Sequence, residues 1–236
     1  MLILDDAQDL KERRMHGFFD DFEWYVITHR WTSLKADTNT TMDVDATSVG
    51  GRVLLFGLTA DNDEVAIGTT NKQFNVVASK PLKFETRIQF AEGATNKLNV
   101  FAGFCSVGTT ANTLVDNGAG MVTTYDGAVI YKVDGETVWR CGSSRGTTQY
   151  TTTSTKTAGG TSAQVLRIEI QPISTTDAEV TFFVDDAALV DTNLQPIKHT
   201  MVFASATQMQ AAVGMKLGGA NTESLYVDYI AAYQLR

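Results

Sequence analysis

Gly142-Ser143-Ser144-Arg145-Gly146 satisfies the G-x-S-x-G string in which a serine hydroxyl acts as nucleophile, and Asp185 and His199 follow in the chain order that such hydrolases use. That string works where a strand turns sharply into a helix and exposes the hydroxyl. Here the following residues are threonines, which form helices poorly, so the segment reads as a loop. Cleavage of a glycosidic bond needs two carboxylates about 5 to 10 Å apart, which a single strand supplies as acids at i and i+2 or i+4. Glu169 has no such acidic neighbour, Asp43 with Asp45 lies in a polar segment without an aromatic platform, and no E-x-D-x-x-E string occurs. The sequence nominates no catalytic residue and predicts a protein that is not an enzyme.

Asp61-Asn62-Asp63-Glu64 offers oxygen ligands of the kind Ca²⁺ takes, with Asp61, Asp63 and Glu64 as the candidates. It lacks the glycine and the fuller alternating ligand set of an EF-hand, and a solvated turn is the plainer reading. His16, His29 and His199 are scattered, and Cys105 and Cys141 have no Cys or His at zinc-site spacing. No metal and no cofactor are expected, and both cysteines read as buried, unpaired thiols. Phe18, Phe19, Phe22, Trp24 and Tyr25, with Trp31 nearby, form the densest aromatic cluster. On an open face such a cluster stacks on sugar rings or anchors a partner, and otherwise it packs beside the first strand. Asn39-Thr40-Thr41 fits the glycosylation string, which is uninformative without an export signal.

These residues must be positioned by strands, because the dominant period is two. Leu82, Phe84, Thr86, Ile88 and Phe90 alternate with Lys83, Glu85, Arg87 and Gln89, which describes a half-buried strand. The same alternation recurs at Leu166, Ile168 and Ile170, at Val180, Phe182 and Val184, and at Leu225, Val227, Tyr229, Ala231, Tyr233 and Leu235. Asp134-Gly135 and Asp185-Asp186 sit between strand-like runs as hairpin turns. Further short strands are expected at 53–58, 64–69, 74–77, 98–107, 201–206 and 209–217. Residues 146–162 read as an exposed polar strand pair or a loop. With no crossover helices between them, the strands predict an all-β antiparallel β-sandwich or jelly roll over residues 17–236.

The one convincing helix is residues 5–14, with acids in its first turn and bases in its last. It is too short to persist alone, so residues 1–16 read as an N-terminal helical arm that docks through Leu2, Ile3, Leu4, Ala7 and Leu10. Of the 236 residues, 43% are hydrophobic, and the formal net charge is −8. That composition supports one folded domain, and its acidity opposes non-specific attachment to nucleic acid or anionic lipid. No apolar run approaches the roughly 20 residues that span a bilayer, and the acidic start is the reverse of a secretory signal. Neither nucleic acid nor membrane is an expected partner.

The hairpin from Ala178 through Asp185-Asp186 to Val190 resembles the v-x-f-y-v-D-G-x-x-v hairpin of concanavalin A-like, laminin G-like sandwiches, although Asp186 stands where those often have Gly. Ser224-Leu225-Tyr226-Val227-Asp228-Tyr229-Ile230 resembles their closing strand. With Phe18-Phe19-Asp20-Asp21-Phe22 and Ala128 to Gly135, the chain resembles structural proteins of tailed bacteriophages. That resemblance implies a concanavalin A-like jelly roll in a virion, made in the host bacterial cytoplasm. The expected role is a homo-oligomeric capsid decoration or cement protein that binds its own copies and the major capsid protein. The alternative is a carbohydrate-binding module on a tail or fibre that recognises host surface glycans through exposed aromatics.

Overall fold

The computed structural model describes residues 15–23, 29–35, 40–45, 47, 50–57, 60–203 and 208–236. In chain order the strands begin with β1 (Met15–Asp20), β2 (Trp31–Lys35), β3 (Thr40–Val44), β4 (Val53–Gly57), β5 (Glu64–Thr69) and β6 (Leu82–Glu92). There follow β7 (Leu98–Cys105), β8 (Leu114–Val115), β9 (Gly120–Met121), β10 (Gly127–Lys132), β11 (Val138–Arg145) and β12 (Thr148–Thr157). The chain closes with β13 (Gln164–Pro172), β14 (Asp177–Val184), β15 (Ala187–Ala188), β16 (Lys198–Val202), β17 (Gln210–Leu217) and β18 (Glu223–Leu235). A single 3₁₀ turn, Asp116–Gly118, lies between β8 and β9.

Two antiparallel sheets form the sandwich. The first has the order β15-β14-β13-β6-β18-β4-β3, with β1 added on β18 and β16 on β14, and the second the order β12-β11-β10-β7-β17-β5-β2. The core lies between them because alternate residues of each strand are apolar. Phe84 and Ile88 of β6, Ile168 of β13, Phe182 of β14 and Leu225 of β18 meet Val100 and Phe104 of β7, Ile130 of β10, Trp139 of β11 and Val213 of β17. The sequence reading of an antiparallel jelly roll is the fold observed.

Both expected hairpins form. Asp185 and Asp186 hold φ of 52° and 63°, the left-handed pair that a two-residue turn requires and that aspartate tolerates. Residues 148–157, left open between strand and loop, pair with β11. Residues 74–77 do not form a strand: Phe74 and Val77 make only isolated bridges, to Met209 and Lys80. The stretch read as an N-terminal arm ends in a strand, because β1 takes Met15 and His16 into the sheet against Leu235 and Gln234. The helical part, residues 5–14, and the docking residues Leu2, Ile3, Leu4, Ala7 and Leu10 lie outside the described residues.

One expectation about β18 is corrected. The sequence alternates without a break from Leu225 to Leu235, but the register against β6 slips between Val227 and Tyr229, leaving Asp228 as a bulge. A one-residue insertion swaps the faces of everything beyond it. Leu225 and Val227 point inward before the bulge, Ile230 and Ala232 point inward after it, and Tyr229, Ala231 and Tyr233 are turned to the outer face. Thr86, buried beneath, donates from Oγ1 to the carbonyl of Tyr229 at 2.6 Å and so closes the ladder across the slip.

The outer face of the second sheet is largely covered. Residues 106–126 fold over it and bury Leu114, Met121 and Tyr125 against Ala66, Phe101, Val129, Tyr131 and Ala212. The cover is fastened by a charge network centred on the buried Lys216 and Glu64. Lys216 Nζ lies 2.5 Å from Asp116 Oδ1 and donates to Asn112 Oδ1 at 2.9 Å and to the Leu114 carbonyl at 3.0 Å. Glu64 accepts from the backbone N–H groups of Asn112 and Leu114 at 2.6 and 3.2 Å.

Candidate functional site

With one sheet covered, the outer face of the other is the open one among the described residues, and its strand register fixes what stands there. Lys83 of β6 is the partner of Tyr233 on one side and of Glu169 on the other. Across the β13–β14 hairpin Glu169 faces Thr181, and Gln171 faces Glu179. These residues, with Met15, Pro81 and Leu235 at one end, line a groove of about 490 Å³, a volume typical of ligand pockets. Gly17 of β1 stands opposite Tyr233 and leaves room for the ring: a Cβ there would lie 2.7 Å from Tyr233 Cδ1.

The groove exposes more apolar than polar surface, and its charged side chains are paired at their edges. Glu169 meets Arg167 at 3.3 Å, Glu179 meets Lys198 at 2.9 Å and Lys83 meets Glu85 at 3.4 Å. Carboxylates, an amide, an ammonium and a threonine hydroxyl around one aromatic ring can hydrogen-bond the hydroxyls of a flat-faced ligand and pack against its apolar side.

The residues singled out from sequence fare unevenly. The aromatic cluster divides: Phe18 and Phe22 are core residues, each with its ring 5.3 Å from that of Trp31. Asp20 fixes this corner by accepting from Trp31 Nε1 at 2.9 Å and from the Phe22 N–H at 2.9 Å. Among the described members of the cluster only Phe19 is turned outward, 55% exposed and 5.2 Å from the ring of Tyr229. Trp24 and Tyr25 lie outside the described residues. Burial removes Phe18 and Phe22 from the expected contact patch, and Phe19 shares the outer face with Tyr229 and Tyr233, which the bulge at Asp228 supplies.

The calcium candidates are dispersed in role. Asp61 is exposed in a turn and Asp63 is buried, while Glu64 serves the cover; burial pushes its carboxyl up against the pull of the Asn112 and Leu114 N–H groups and Lys216. Among the described residues no cluster of three or more His, Cys, Asp or Glu side chains is placed to hold a metal ion. Ser144 lies within β11 and donates to the Gly146 carbonyl, with no helix behind it. His199 instead meets the neighbouring Ser143, Oγ to Nδ1 at 2.9 Å, and Thr152 at 3.0 Å through Nε2, buried between the sheets. Desolvation lowers its pKa to about 4. Asp185 is elsewhere, accepting from the Val165 N–H. Both cysteines are buried and unbridged, and desolvation raises the Cys105 thiol to about 12.

No protein-family model matches the chain, and no curated protein resembles it in sequence. Solved structures do share its fold. The endo-1,3-beta-glucanase from Streptomyces sioyaensis superimposes with a TM-score of 0.62 at 14% identity, covering 94% of this chain and 97% of that one. The metal-free carbohydrate recognition domain of Emp46p gives 0.59 at 10%, covering 92% and 95%. The endo-beta-1,4-glucuronan lyase from Trichoderma reesei gives 0.56 at 8%, covering 91% and 94%. The fold is the concanavalin A-like, legume-lectin-like jelly roll. Nothing in these likenesses indicates a virion protein.

They also correct the expectation that the chain is not an enzyme, since a glucanase and a lyase are built on this sandwich. One sequence ground for that expectation fails as well. Glu169 does have an acidic neighbour, Glu179, set diagonally across the hairpin rather than along its own strand. Sequence reasoning missed Tyr233 and Glu179 because it looked for partners within a strand and for aromatics in one stretch of sequence.

Proposed function

We propose that the protein is a carbohydrate-binding domain that seats a glycan in the groove beside Tyr233. The observation that carries this reading is the groove itself, an amphipathic trough with an aromatic wall where Glu169, Gln171, Glu179 and Lys83 converge around apolar surface. The sandwich is shared with a carbohydrate recognition domain and with enzymes named for glycans, which supports the same class of ligand. The Tyr233 ring packs on the apolar face of a sugar, and the surrounding side chains exchange water for its hydroxyls. A glycan array followed by calorimetric titration of the best binders tests this. Tyr233→Ala is expected to weaken binding at least ten-fold while the circular dichroism spectrum is unchanged. Absence of any bound glycan, or binding indifferent to Tyr233→Ala, overturns it.

A further inference from the structure

The groove has a neighbour around the end of β18. His16, Asn75, Val77, Lys80 and Arg236 line a notch of about 190 Å³ whose exposed surface is almost wholly apolar, and Gln234 and Leu235 border both hollows. The ridge between them is tied by hydrogen bonds. Leu235 donates its N–H to the Pro81 carbonyl at 3.2 Å, and the Gln234 amide accepts from the Asn75 N–H at 3.3 Å and donates to the Asn75 carbonyl. Met15 beside the groove, Val77 beside the notch and Leu235 beside both are each more than a third exposed. Exposed apolar side chains gathered around two hollows are a surface that soluble proteins cover or use.

What covers this surface follows from where the chain enters the sheet. Met15 and His16 are the strand partners of Leu235 and Gln234, and Met15 borders the groove while His16 borders the notch. The residues before Met15 therefore join the sheet between the two hollows. Fourteen residues precede Met15 in the sequence, among them Leu2, Ile3, Leu4, Ala7 and Leu10. Residues 1–10 also carry Asp5, Asp6 and Asp9, with no Lys or Arg. The notch has the opposite sign, because Lys80 and Arg236 line it and no side-chain carboxylate does. Among the described residues neither cation has an ion-pair partner.

Length is sufficient. The groove runs from β18 across β6 and β13 to β14, three strand spacings, or about 14 Å at ~4.8 Å each. Ten residues cover about 15 Å even at the ~1.5 Å rise of a helix, and more when extended. Attachment at Met15 gives the segment a local concentration in the millimolar range, which a second molecule in dilute solution does not reach.

We propose that residues 1–14 dock, within the same chain, on the apolar end of the nine-stranded sheet around Met15, Val77 and Leu235, and so screen the groove beside Tyr233. The docking stands apart from the carbohydrate-binding reading; the screening rests on it.

The test is paramagnetic relaxation in the full chain carrying Ala7→Cys and a nitroxide label, from which the buried Cys105 and Cys141 are shielded. Amide signals of residues 75–80 and 233–236 are expected to lose at least half their intensity relative to the reduced label, and those of residues 110–121 on the other sheet to lose none. A mixture of spin-labelled chain without isotope and isotope-enriched chain without label is expected to show no loss. Leu2→Ser, Ile3→Ser and Leu4→Ser together are expected to restore at least half of the lost intensity. No loss at residues 75–80 and 233–236, equal loss in the mixture, or loss indifferent to the three serines overturns docking within the chain. The triple substitution is also expected to tighten glycan binding at least three-fold. Unchanged affinity overturns the screening and leaves the docking. A chain that binds no glycan overturns the carbohydrate reading and the screening with it, while the relaxation measurement still decides the docking.

Discussion

Glu92 and Glu223 stand directly opposite each other where β6 and β18 begin to part, and only Glu92 is met by a lysine. Lys132, buried at the same end of the sandwich, reaches Glu92 Oε1 at 2.8 Å and the Leu98 carbonyl at 2.9 Å, and Glu92 also accepts from the Asn96 and Leu98 N–H groups. Glu223 is fully buried; one oxygen accepts from the Gly93 N–H at 3.3 Å, and Oε1 has no partner. Desolvation first, and then the charge of Glu92, raises its pKa to about 7 from an ordinary 4.5.

The consequence is a contribution from Glu223 that falls with rising pH. Between about pH 4.5 and 7 the folded chain keeps a proton on Glu223 that the unfolded chain has lost, so this contribution decreases over that window by up to about 1.4 kcal/mol per pH unit. Glu223→Gln, a neutral isostere, is expected to remove this loss and to raise the melting temperature more at pH 8 than at pH 5. Equal gains at both pH values would contradict it.

His199 acts in the opposite sense. Its folded pKa is lowered to about 4, so the neutral ring contributes stability above pH 6.5 that is lost as pH falls toward 4. In the native protein the two slopes offset each other across about pH 4.5 to 6.5. Denaturant titrations of His199→Gln should therefore show stability falling with pH in that range, and Glu223→Gln should show it rising.

The cover over the second sheet depends on Lys216. Lys216→Met leaves Glu64 buried beside an apolar chain and is expected to cost on the order of 3 kcal/mol. Hydrogen exchange should rise first in residues 110–121, whose carbonyl and side-chain oxygens Lys216 binds. Exchange spread evenly through both sheets would show that the cover is fastened by its apolar contacts alone.

The bulge at Asp228 is what presents Tyr229 and Tyr233 to solvent. Deleting Asp228 restores strict alternation and drives either those tyrosines or Ile230 and Ala232 to the wrong face. Loss of cooperative unfolding is the expected result, read by near-ultraviolet circular dichroism.

How far the sequence reached can be seen in single strands. Leu82 to Phe90 announces its own buried face because one period runs through it unbroken, and Asp185-Asp186 announces its turn because few other residues accept two left-handed conformations in succession. β18 misled because an aromatic is compatible with either face, so Tyr229 and Tyr233 continued the apparent alternation past the slip. Ile230 and Ala232, aliphatic at the intervening positions, were the available sign of it. The groove was illegible for a different reason: Tyr233, Lys83, Glu169 and Glu179 come from four strands, and only strand order and register bring them together.

The central claim is that glycans bind on the outer face of the nine-stranded sheet beside Tyr233, and backbone amide chemical-shift mapping with a glycan selected on the array addresses it most directly. The shifts are expected to concentrate at residues 81–83, 169–171, 179–181 and 233–235. Shifts concentrated instead in residues 106–126 and on the sheet beneath them would place the ligand under the cover and contradict the account.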